Sequence, residues 1–221
     1  MVSLFDILGP VMVGPSSSHT AGACRPGLMA RAIAGGMPER AHIGLHGSFA
    51  ATGEGHGTQR AIVGGLIGLP PDDLRLRQAY DEAKRAGLSW EFETVDLGEH
   101  AHPNTAVFGV HRAGEEVRLR GASVGGGRIE VTELNGFPVS LGGDYHALVA
   151  LAQDRPGTIA AIAALLATEG VNLATMRVDR TGRLEDALMT IEADQPIPDV
   201  ALQGIRAFPW LRWARRIEKI A

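Results

Sequence analysis

The sequence predicts an α+β protein made of two domains. Its 221 residues exceed the roughly 100 to 150 that most single domains contain. Helical and strand patterns alternate along the first part, whereas the last part follows the order β-α-β-β-α-β of a ferredoxin-like fold. Gly142 and Gly143 mark the break between the two patterns. We therefore expect an α/β domain at residues 1–142 and a ferredoxin-like domain at residues 145–221.

The first domain opens with a helix. Residues 21–36 are small and apolar at helical spacing, and Pro26 indicates either a helix start near residues 24–26 or a kink. Similar patterns predict a strand at 41–48, a helix at 61–69, a surface helix at 72–86, and strands at 90–95, 106–112 and 117–121, the last two joined by a hairpin turn. Polar or glycine-rich loops are expected between these elements.

The second domain alternates strands and helices in a regular order. The elements predicted are a strand from Tyr145, a turn at 154–157, a helix at 158–169, strands at 171–179 and 187–193, a helix around 198–208 and a last strand at 211–217. This order gives the βαββαβ motif.

Composition narrows the possible functions. A net charge of -4 gives no general attraction to nucleic acid or to an anionic membrane. The apolar opening segment contains Asp6 and has no basic start, so neither a signal peptide nor a membrane span is predicted, and we expect a cytoplasmic protein. Cys24 is the only cysteine, which excludes an internal disulfide and a cysteine-ligated metal centre within the chain. Neither lysine lies in a glycine-rich or hydroxyl-rich loop, which argues against a pyridoxal Schiff base.

The run Gly14–Thr20 is the strongest candidate for a site. It sets three serine hydroxyls and the imidazole of His19 where a loop opens into a helix. Unpaired N–H groups at a helix start favour an anion, and histidine exchanges a proton near neutral pH. The segment can therefore bind a carboxylate and move a proton, or it can be a serine-rich helix cap with an exposed histidine.

Three later loops add polar groups. Residues 52–58 form a glycine-rich turn with His56 and Thr58 that repeats the order loop, histidine, threonine and helix. The loop 99–105 either contributes His102 and Asn104 to a site or is a polar turn that Asn104 caps. The glycines of the segment 123–127 would allow backbone N–H groups to approach an anion, or they serve a bulge or tight turn.

The C-terminal segment resembles an ACT domain, a small-molecule sensing module that commonly pairs with another copy. The residues concerned are Asp154-Arg155-Pro156-Gly157-Thr158, Gly170 to Met176, and Ala187-Leu188-Met189 before Glu192 and Asp194. In that family, amino acids bind where the first loop meets the second strand of a neighbour. The resemblance therefore implies either an effector site at Asp154, Arg155, Pro156, Gly157, Asn172 and Leu173, or a domain that serves only dimerisation.

The whole chain resembles the beta chain of the iron-sulfur-dependent L-serine dehydratases. The motifs concerned, in order, are Leu4 to Pro10, Gly14 to Thr20, Gly47-Ser48-Phe49 with Gly53 to Thr58, His102 to Thr105, Ser123 to Gly127, and the ACT segment. The first domain is also similar to the allosteric substrate-binding domain of some 3-phosphoglycerate dehydrogenases. The alternative function is thus a non-catalytic amino-acid-sensing module, although no nucleotide-binding G-x-G-x-x-G follows a predicted strand.

The resemblance implies a subunit that shares an active site with a cluster-bearing alpha subunit. The alpha subunit would hold a [4Fe-4S] cluster through three cysteines, and the enzyme would convert L-serine to pyruvate and ammonia. His19 and His56 would be the catalytic residues of this chain, which is expected to be inactive alone and to self-associate through its ACT domain. The substrate contacts implied are Ser16, Ser17, Ser18, Thr20, Gly57, Thr58, His102, Asn104, Ser123, Gly125 and Gly126.

Overall fold

The computed structural model describes residues 11–14, 16–182 and 185–220. The opening motif Leu4 to Pro10 and the Pro15 position of the serine loop therefore lie outside the described residues. Packing separates the described chain into two compact units, one of residues up to 136 with 140–142 and one of 143–220 with 137–139. None of the helices in this described part has the length and hydropathy needed to cross a bilayer.

The first unit packs helices on one sheet. Its elements are α1 (Ala21–Ile33), β1 (Arg40–Leu45), α2 (Ser48–His56), α3 (Thr58–Leu66), a 3₁₀ helix (Leu74–Gln78), α4 (Ala79–Ala86), β2 (Ser89–Thr94), β3 (Thr105–Arg112), β4 (Glu115–Gly125), β5 (Arg128–Leu134) and β6 (Phe137–Leu141). The sheet order is β2-β1-β3-β4-β5-β6. β1 runs antiparallel to β3 but parallel to β2. The chain therefore crosses over between β1 and β2, through the helices that separate them in sequence.

Two glycines set how closely α1 and α3 pack. A Cβ on Gly27 would lie 2.5 Å from the Ile62 carbonyl oxygen, and one on Gly65 would lie 2.1 Å from the Cys24 carbonyl oxygen. Real Cβ atoms do not approach backbone so closely, and therefore the two helices touch through bare backbone. Because α1 and α3 begin at Ala21 and Thr58, this contact fixes the two helices that follow the candidate histidines.

Pro26 does not mark a helix start, contrary to one of the two sequence expectations. α1 begins at Ala21, and Pro26 is buried inside it. A proline ring inside a helix clashes with the carbonyl four residues earlier, but that residue is Gly22, which has no side chain to add to the crowding. The ring also packs toward the sheet, where a Cβ on Gly121 would lie 3.3 Å from the Pro26 Cβ.

The predicted glycine-rich turn at 52–58 is wrong. Residues 48–56 form α2, and only Gly57, at φ +74°, leaves helical geometry before α3 starts. A hydrogen bond from the Ala51 amide to the Gly47 carbonyl helps to begin this helix. The predicted helix 72–86 is also divided, into the 3₁₀ helix and α4, which Gly87 ends at φ +85°. β5 and β6 were not predicted from the sequence.

The second unit has the predicted ferredoxin-like order. Its elements are β7 (His146–Gln153), α5 (Thr158–Thr168), β8 (Leu173–Arg180), β9 (Asp186–Ala193), α6 (Asp199–Arg206) and β10 (Leu211–Ile217). The four strands form an antiparallel sheet of order β10-β7-β9-β8. Leu148, Ile162, Ile191 and Ile205 are fully buried between the sheet and the two helices. The α+β class and the ferredoxin-like C-terminal domain are confirmed.

Candidate active site

The serine loop folds around Ser16. The Ser16 carbonyl accepts a 2.8 Å hydrogen bond from the Thr20 amide, and the Ser16 hydroxyl oxygen accepts one of 3.2 Å from the His19 amide. Further amides at the start of α1 also donate locally, from Gly22 to the Ser17 carbonyl and from Cys24 to the Thr20 carbonyl, both at 2.8 Å. These N–H groups already have acceptors within the loop and the first turn. The loop therefore presents hydroxyl and imidazole groups rather than those amides.

His19 is held by two hydroxyls of α2. Its Nε2 lies 3.1 Å from Thr52 Oγ1 and 3.2 Å from Ser48 Oγ. The Thr52 hydroxyl has one proton, which it donates to the Ser48 carbonyl at 2.9 Å, so toward His19 the Thr52 oxygen can only accept. A hydrogen bond from His19 to Thr52 therefore places the imidazole proton on Nε2, and the Ser48 oxygen can accept from the same N–H. In neutral His19 the lone pair therefore lies on Nδ1, 3.4 Å from Ser16 Oγ.

His56 lies beside His19 and has the opposite tautomer. Its Nδ1 is 3.2 Å from the Thr52 carbonyl, one helical turn earlier on α2, and a carbonyl can only accept. Nδ1 therefore donates, and Nε2 of neutral His56 carries the lone pair. The two imidazole centroids are 5.0 Å apart, and the buried ring of Phe49 lies edge-on to His19 at 5.4 Å. The site thus contains two adjacent histidines with different nitrogen atoms free to accept a proton.

Burial lowers the pKa of His19, and a positive charge on His56 lowers it further, while a hydrogen bond to the Ser48 backbone raises it. Both lowering effects disfavour the charged imidazolium. Burial removes the water that solvates it, and a cation on His56 repels it. His19 is therefore neutral at pH 7, which is the form that accepts a proton.

Buried hydroxyls without partners follow each histidine along the chain, at Thr20 and Thr58. Thr20 is 5% exposed and Thr58 is fully buried, and neither Oγ1 has a hydrogen-bond partner in the described part of the chain. Ser123 Oγ and Asn104 Oδ1 are also buried and unpaired there. An unpaired buried polar atom is costly, so such atoms commonly face a ligand, an ion or a water molecule.

Ser123 and the 102–105 loop converge on the same region of the fold. Ser123 packs beneath the start of α1, where a Cβ on Gly22 would lie 2.0 Å from its Oγ, and its amide donates to the Asn104 carbonyl at 2.9 Å. The Pro103 carbonyl accepts from the Ser48 amide at 2.7 Å, at the start of α2. The start of α1, the start of α2, the 102–105 loop and Ser123 are therefore linked by two backbone hydrogen bonds and the Ser123 side chain.

The individual residues of the 102–105 loop are less well placed. His102 is exposed, and its Nδ1 accepts from the Asn104 amide at 3.1 Å, which is the geometry of a polar turn. Gly125 and Gly126 lie at the β4–β5 turn in left-handed geometry. Their neighbour Gly127 accepts a hydrogen bond from Arg25 of α1, and the contacts described for this turn do not include either histidine. Substrate contact by these residues stays a prediction.

Sequence reasoning missed the groups that orient His19. Ser48 and Thr52 were noted in motifs but not as its partners. The helical spacing of 48, 52 and 56 was the available signal, and it was concealed by the glycines that suggested a turn.

A cleft of about 370 Å³ opens beside His56. Its polar lining includes Thr20, His56, Arg60 and Arg77, and Gly14 and Gly57 form part of its walls. Arg60 and Arg77 were not predicted from the sequence. The Arg60 guanidinium lies 5.9 Å from the centroid of the Tyr80 ring, which orients it over α4.

The residues present do not fit a protein-held iron-sulfur cluster. Cys24 is the only cysteine, its Sγ donates to the Leu69 carbonyl, and burial raises the pKa of the thiol to about 12. A ligand thiol must be deprotonated, so Cys24 is unsuited to bind iron. Among the side chains that the structure describes, no group of three or more His, Cys, Asp or Glu is arranged to hold a metal ion.

The predicted effector residues lie at opposite ends of α5. Asp154 pairs with Arg180 and Gly157 precedes the helix, whereas the Asn172 amide group donates to Asp194 at 2.7 Å beyond its other end. Eleven residues of helix span about 16 Å. One site containing both groups would therefore need residues from two copies of the chain.

The fold and the site define a class: a protein with a histidine pair in an α/β domain, followed by an ACT domain. The ACT domain family model matches residues 146–209. A second family model, the serine dehydratase beta chain, matches residues 3–133. The chain belongs to the serine dehydratase beta chain family.

Individual relatives agree with this membership. The chain is 46% identical over 207 residues to the "Probable L-serine dehydratase, beta chain" of Bacillus subtilis (strain 168), covering 94% of each chain. It is 37% identical over 211 residues to the L-serine dehydratase beta chain of Peptoniphilus asaccharolyticus, covering 93% of this chain and 95% of the relative. It is also 30% identical to a D-3-phosphoglycerate dehydrogenase of Synechocystis sp. (strain ATCC 27184 / PCC 6803 / Kazusa), but spans only 35% of that protein. The family resemblance is confirmed, and the alternative of a dehydrogenase-type sensing module is not favoured.

Proposed function

We propose that this chain is the beta subunit of an iron-sulfur L-serine dehydratase. The enzyme would convert L-serine to pyruvate and ammonia at a site shared with a cluster-bearing alpha subunit in the cytoplasm. The observation that carries the proposal is the pair His19 and His56, two adjacent imidazoles within the segment that matches the family model. The relatives of similar length are named as L-serine dehydratase beta chains.

The contribution of this chain to the reaction is proton transfer and binding. Loss of the α-proton and the β-hydroxyl of serine as water gives aminoacrylate, which goes on through an imine and hydrolysis to pyruvate and ammonia. His56 Nε2 or His19 Nδ1 accepts the α-proton, because these are the nitrogens that carry lone pairs. The unpaired hydroxyls of Thr20, Thr58 and Ser123 are available as substrate contacts.

The cluster is assigned to the partner. A [4Fe-4S] cluster with an open iron needs three thiolates, and the single, protonated Cys24 cannot supply them. In this proposal the chain holds the substrate and moves its proton, and it is inactive without the alpha subunit.

The test is reconstitution. The purified chain is expected to lack cluster absorbance and serine deaminase activity, and to gain activity when mixed anaerobically with a cluster-bearing alpha chain. In the mixture, His19→Gln and His56→Gln should each lower kcat by about 10² to 10⁴, the usual contribution of a positioned base. His42→Gln is the matched control, because His42 is exposed and pairs with Glu91 and Glu93 on the sheet. Full activity of the chain alone, or unchanged turnover in both variants, would contradict the proposal.

The ACT domain is proposed to bind an amino-acid effector between two copies. Asp154, Arg155, Pro156 and Gly157 of one copy would meet Asn172 and Leu173 of the other. The separation of these groups by α5 within one chain supports this arrangement.

A further inference from the structure

The cleft beside His56 has the chemistry of a carboxylate site. Arg60 and Arg77 line it, and no carboxylate group is found among its described lining residues. No ion pair joins either arginine to an acidic residue anywhere in the described part of the chain, although many other arginines of this protein are paired. Each guanidinium presents its own fork of N–H donors suited to an oxyanion, and neither has an acidic partner among the side chains that the structure describes.

Uncharged groups at the cleft add to the positive charge of the two arginines. The cleft wall at Gly57 leads into the first turn of the nine-residue helix α3, where the helix dipole favours an anion. Thr20 lines the cleft, is 5% exposed and has no partner for its Oγ1, and the buried Thr58 hydroxyl at the helix start is also unpaired. These buried hydroxyls independently indicate that a ligand with acceptor atoms completes the site.

The serine loop is a weaker candidate for holding a carboxylate. The amides of His19, Thr20 and Gly22 donate within the loop, so they are not free to bind an anion. In an amino acid, moreover, the carboxyl carbon is bonded to the α-carbon. The group that holds the carboxylate and the base that takes the α-proton must then line one cavity, and the arginine cleft contains His56.

We infer that Arg60 and Arg77 bind the α-carboxylate of the amino-acid substrate in this cleft, an assignment that rests on the proposed function. Arg60 and Arg77 hold the carboxylate, Thr20 donates a hydrogen bond to it, and His56 faces the α-carbon. The two arginines are thus determinants of substrate affinity in addition to the histidine pair.

The first test uses the full chain alone. With ¹⁵N-labelled arginine, titration with acetate should shift the Nε–Hε signals of Arg60 and Arg77 saturably, while neutral acetamide should not. The response should be lost in the double variant Arg60→Gln/Arg77→Gln. It should persist in Arg85→Gln, an exposed arginine on α4 that pairs with Glu82. Circular dichroism checks that each variant is folded.

The second test uses the reconstituted enzyme. The double variant should raise KM for L-serine roughly tenfold to hundredfold, as expected for lost charge-assisted hydrogen bonds, with a smaller change in kcat. Arg85→Gln should keep the parent KM. Acetate binding without serine turnover in any mixture would support the cleft while contradicting the proposed function.

Three other results would overturn the inference. They are no acetate response in the parent chain, an unchanged KM in the double variant, and loss of association with the alpha chain without any acetate response. The last result would instead identify the arginines as a docking point for an acidic side chain of the partner.

Discussion

Thr52 sets which nitrogen of His19 is free to react. Its hydroxyl proton is donated to the Ser48 carbonyl, so the Thr52 oxygen accepts from His19 Nε2. This places the His19 lone pair on Nδ1 without any charged partner, unlike the carboxylate that orients histidine in many hydrolase sites. The reactive tautomer depends on a back-bonded threonine within a short helix.

Removing this hydroxyl should disturb the tautomer. In Thr52→Val the acceptor is lost, and we expect His19 to populate both neutral tautomers and turnover to fall about tenfold. Imidazole ¹⁵N shifts measure the tautomer directly. Thr168→Val is the control, because Thr168 makes the same hydroxyl-to-carbonyl bond four residues back on α5. A His19 spectrum unchanged from the parent would contradict the role of Thr52.

The proximity of the two imidazoles should be visible in their titration. The pKa of His19 is lowered first by burial and second by the charge of His56, so His56→Gln should raise it toward its ordinary value. Because the folded protein keeps His19 neutral to lower pH than the unfolded chain does, the free energy of unfolding should decrease as the pH falls from the ordinary histidine pKa to the lowered one. Proton NMR titration of the His19 ring measures this change. His42 is the internal reference: the hydrogen bonds that its ring donates to Glu91 and Glu93 raise its pKa, and that shift should be unaffected.

At the scale of elements, the α1–α3 contact fixes the active-site helices. Its tightest point is Gly65, which faces the backbone carbonyl of Cys24 rather than a side chain that can move aside. Gly65→Ala should therefore destabilise the fold by about 1–3 kcal/mol, because the helices must separate.

Urea denaturation of Gly65→Ala and a second alanine variant tests this packing. Gly55 lies in α2, and a Cβ there would have no neighbour within 4 Å, so Gly55→Ala should gain about 0.5–1 kcal/mol from helix propensity. Equal stability of the two variants would show that the close approach of α1 and α3 has no energetic effect.

The second domain was the more predictable part of the fold. Its elements lie between clear turn signals, such as the Asp154 to Gly157 turn before α5, and β7, α5 and β9 are strongly apolar. In the first domain, glycine has a different role. Gly27, Gly53 and Gly65 permit close packing inside helices rather than turns, and local sequence does not distinguish these uses.

The candidate site also contains residues that the sequence predicts and residues that only the fold brings together. His19 and His56 were predictable because their residue types define the chemistry and their motifs repeat. Arg60 and Arg77 were not, since 16 residues lie between them and no recognisable motif contains both. Only the fold brings both arginines to one cleft with Thr20.

α5 is apolar around most of its circumference, which bears on how whole molecules associate. Its sequence, TIAAIAALLAT, contains no charged residue, and Ile162 and Leu166 already face the core. Ile159 on another side of the helix is 48% exposed. A helix that is apolar beyond its core-facing stripe commonly packs against a second surface. This agrees with the expectation that ACT domains pair, and with the proposed effector site between two copies.

A charge on this helix should weaken self-association. Ile159→Glu would place a carboxylate in the contact, and we expect the dissociation constant of the full chain to rise at least roughly tenfold by sedimentation velocity. Val200→Glu is the matched control: Val200 is more exposed, at 57%, but lies on α6, whose outer face is polar. If α5 forms the contact, only the Ile159 variant dissociates and loses any effector response, while histidine-dependent turnover in the reconstituted enzyme persists. Equal association of both variants with the parent would place the pairing surface elsewhere, with the exposed edge strand β8 as the next segment to test.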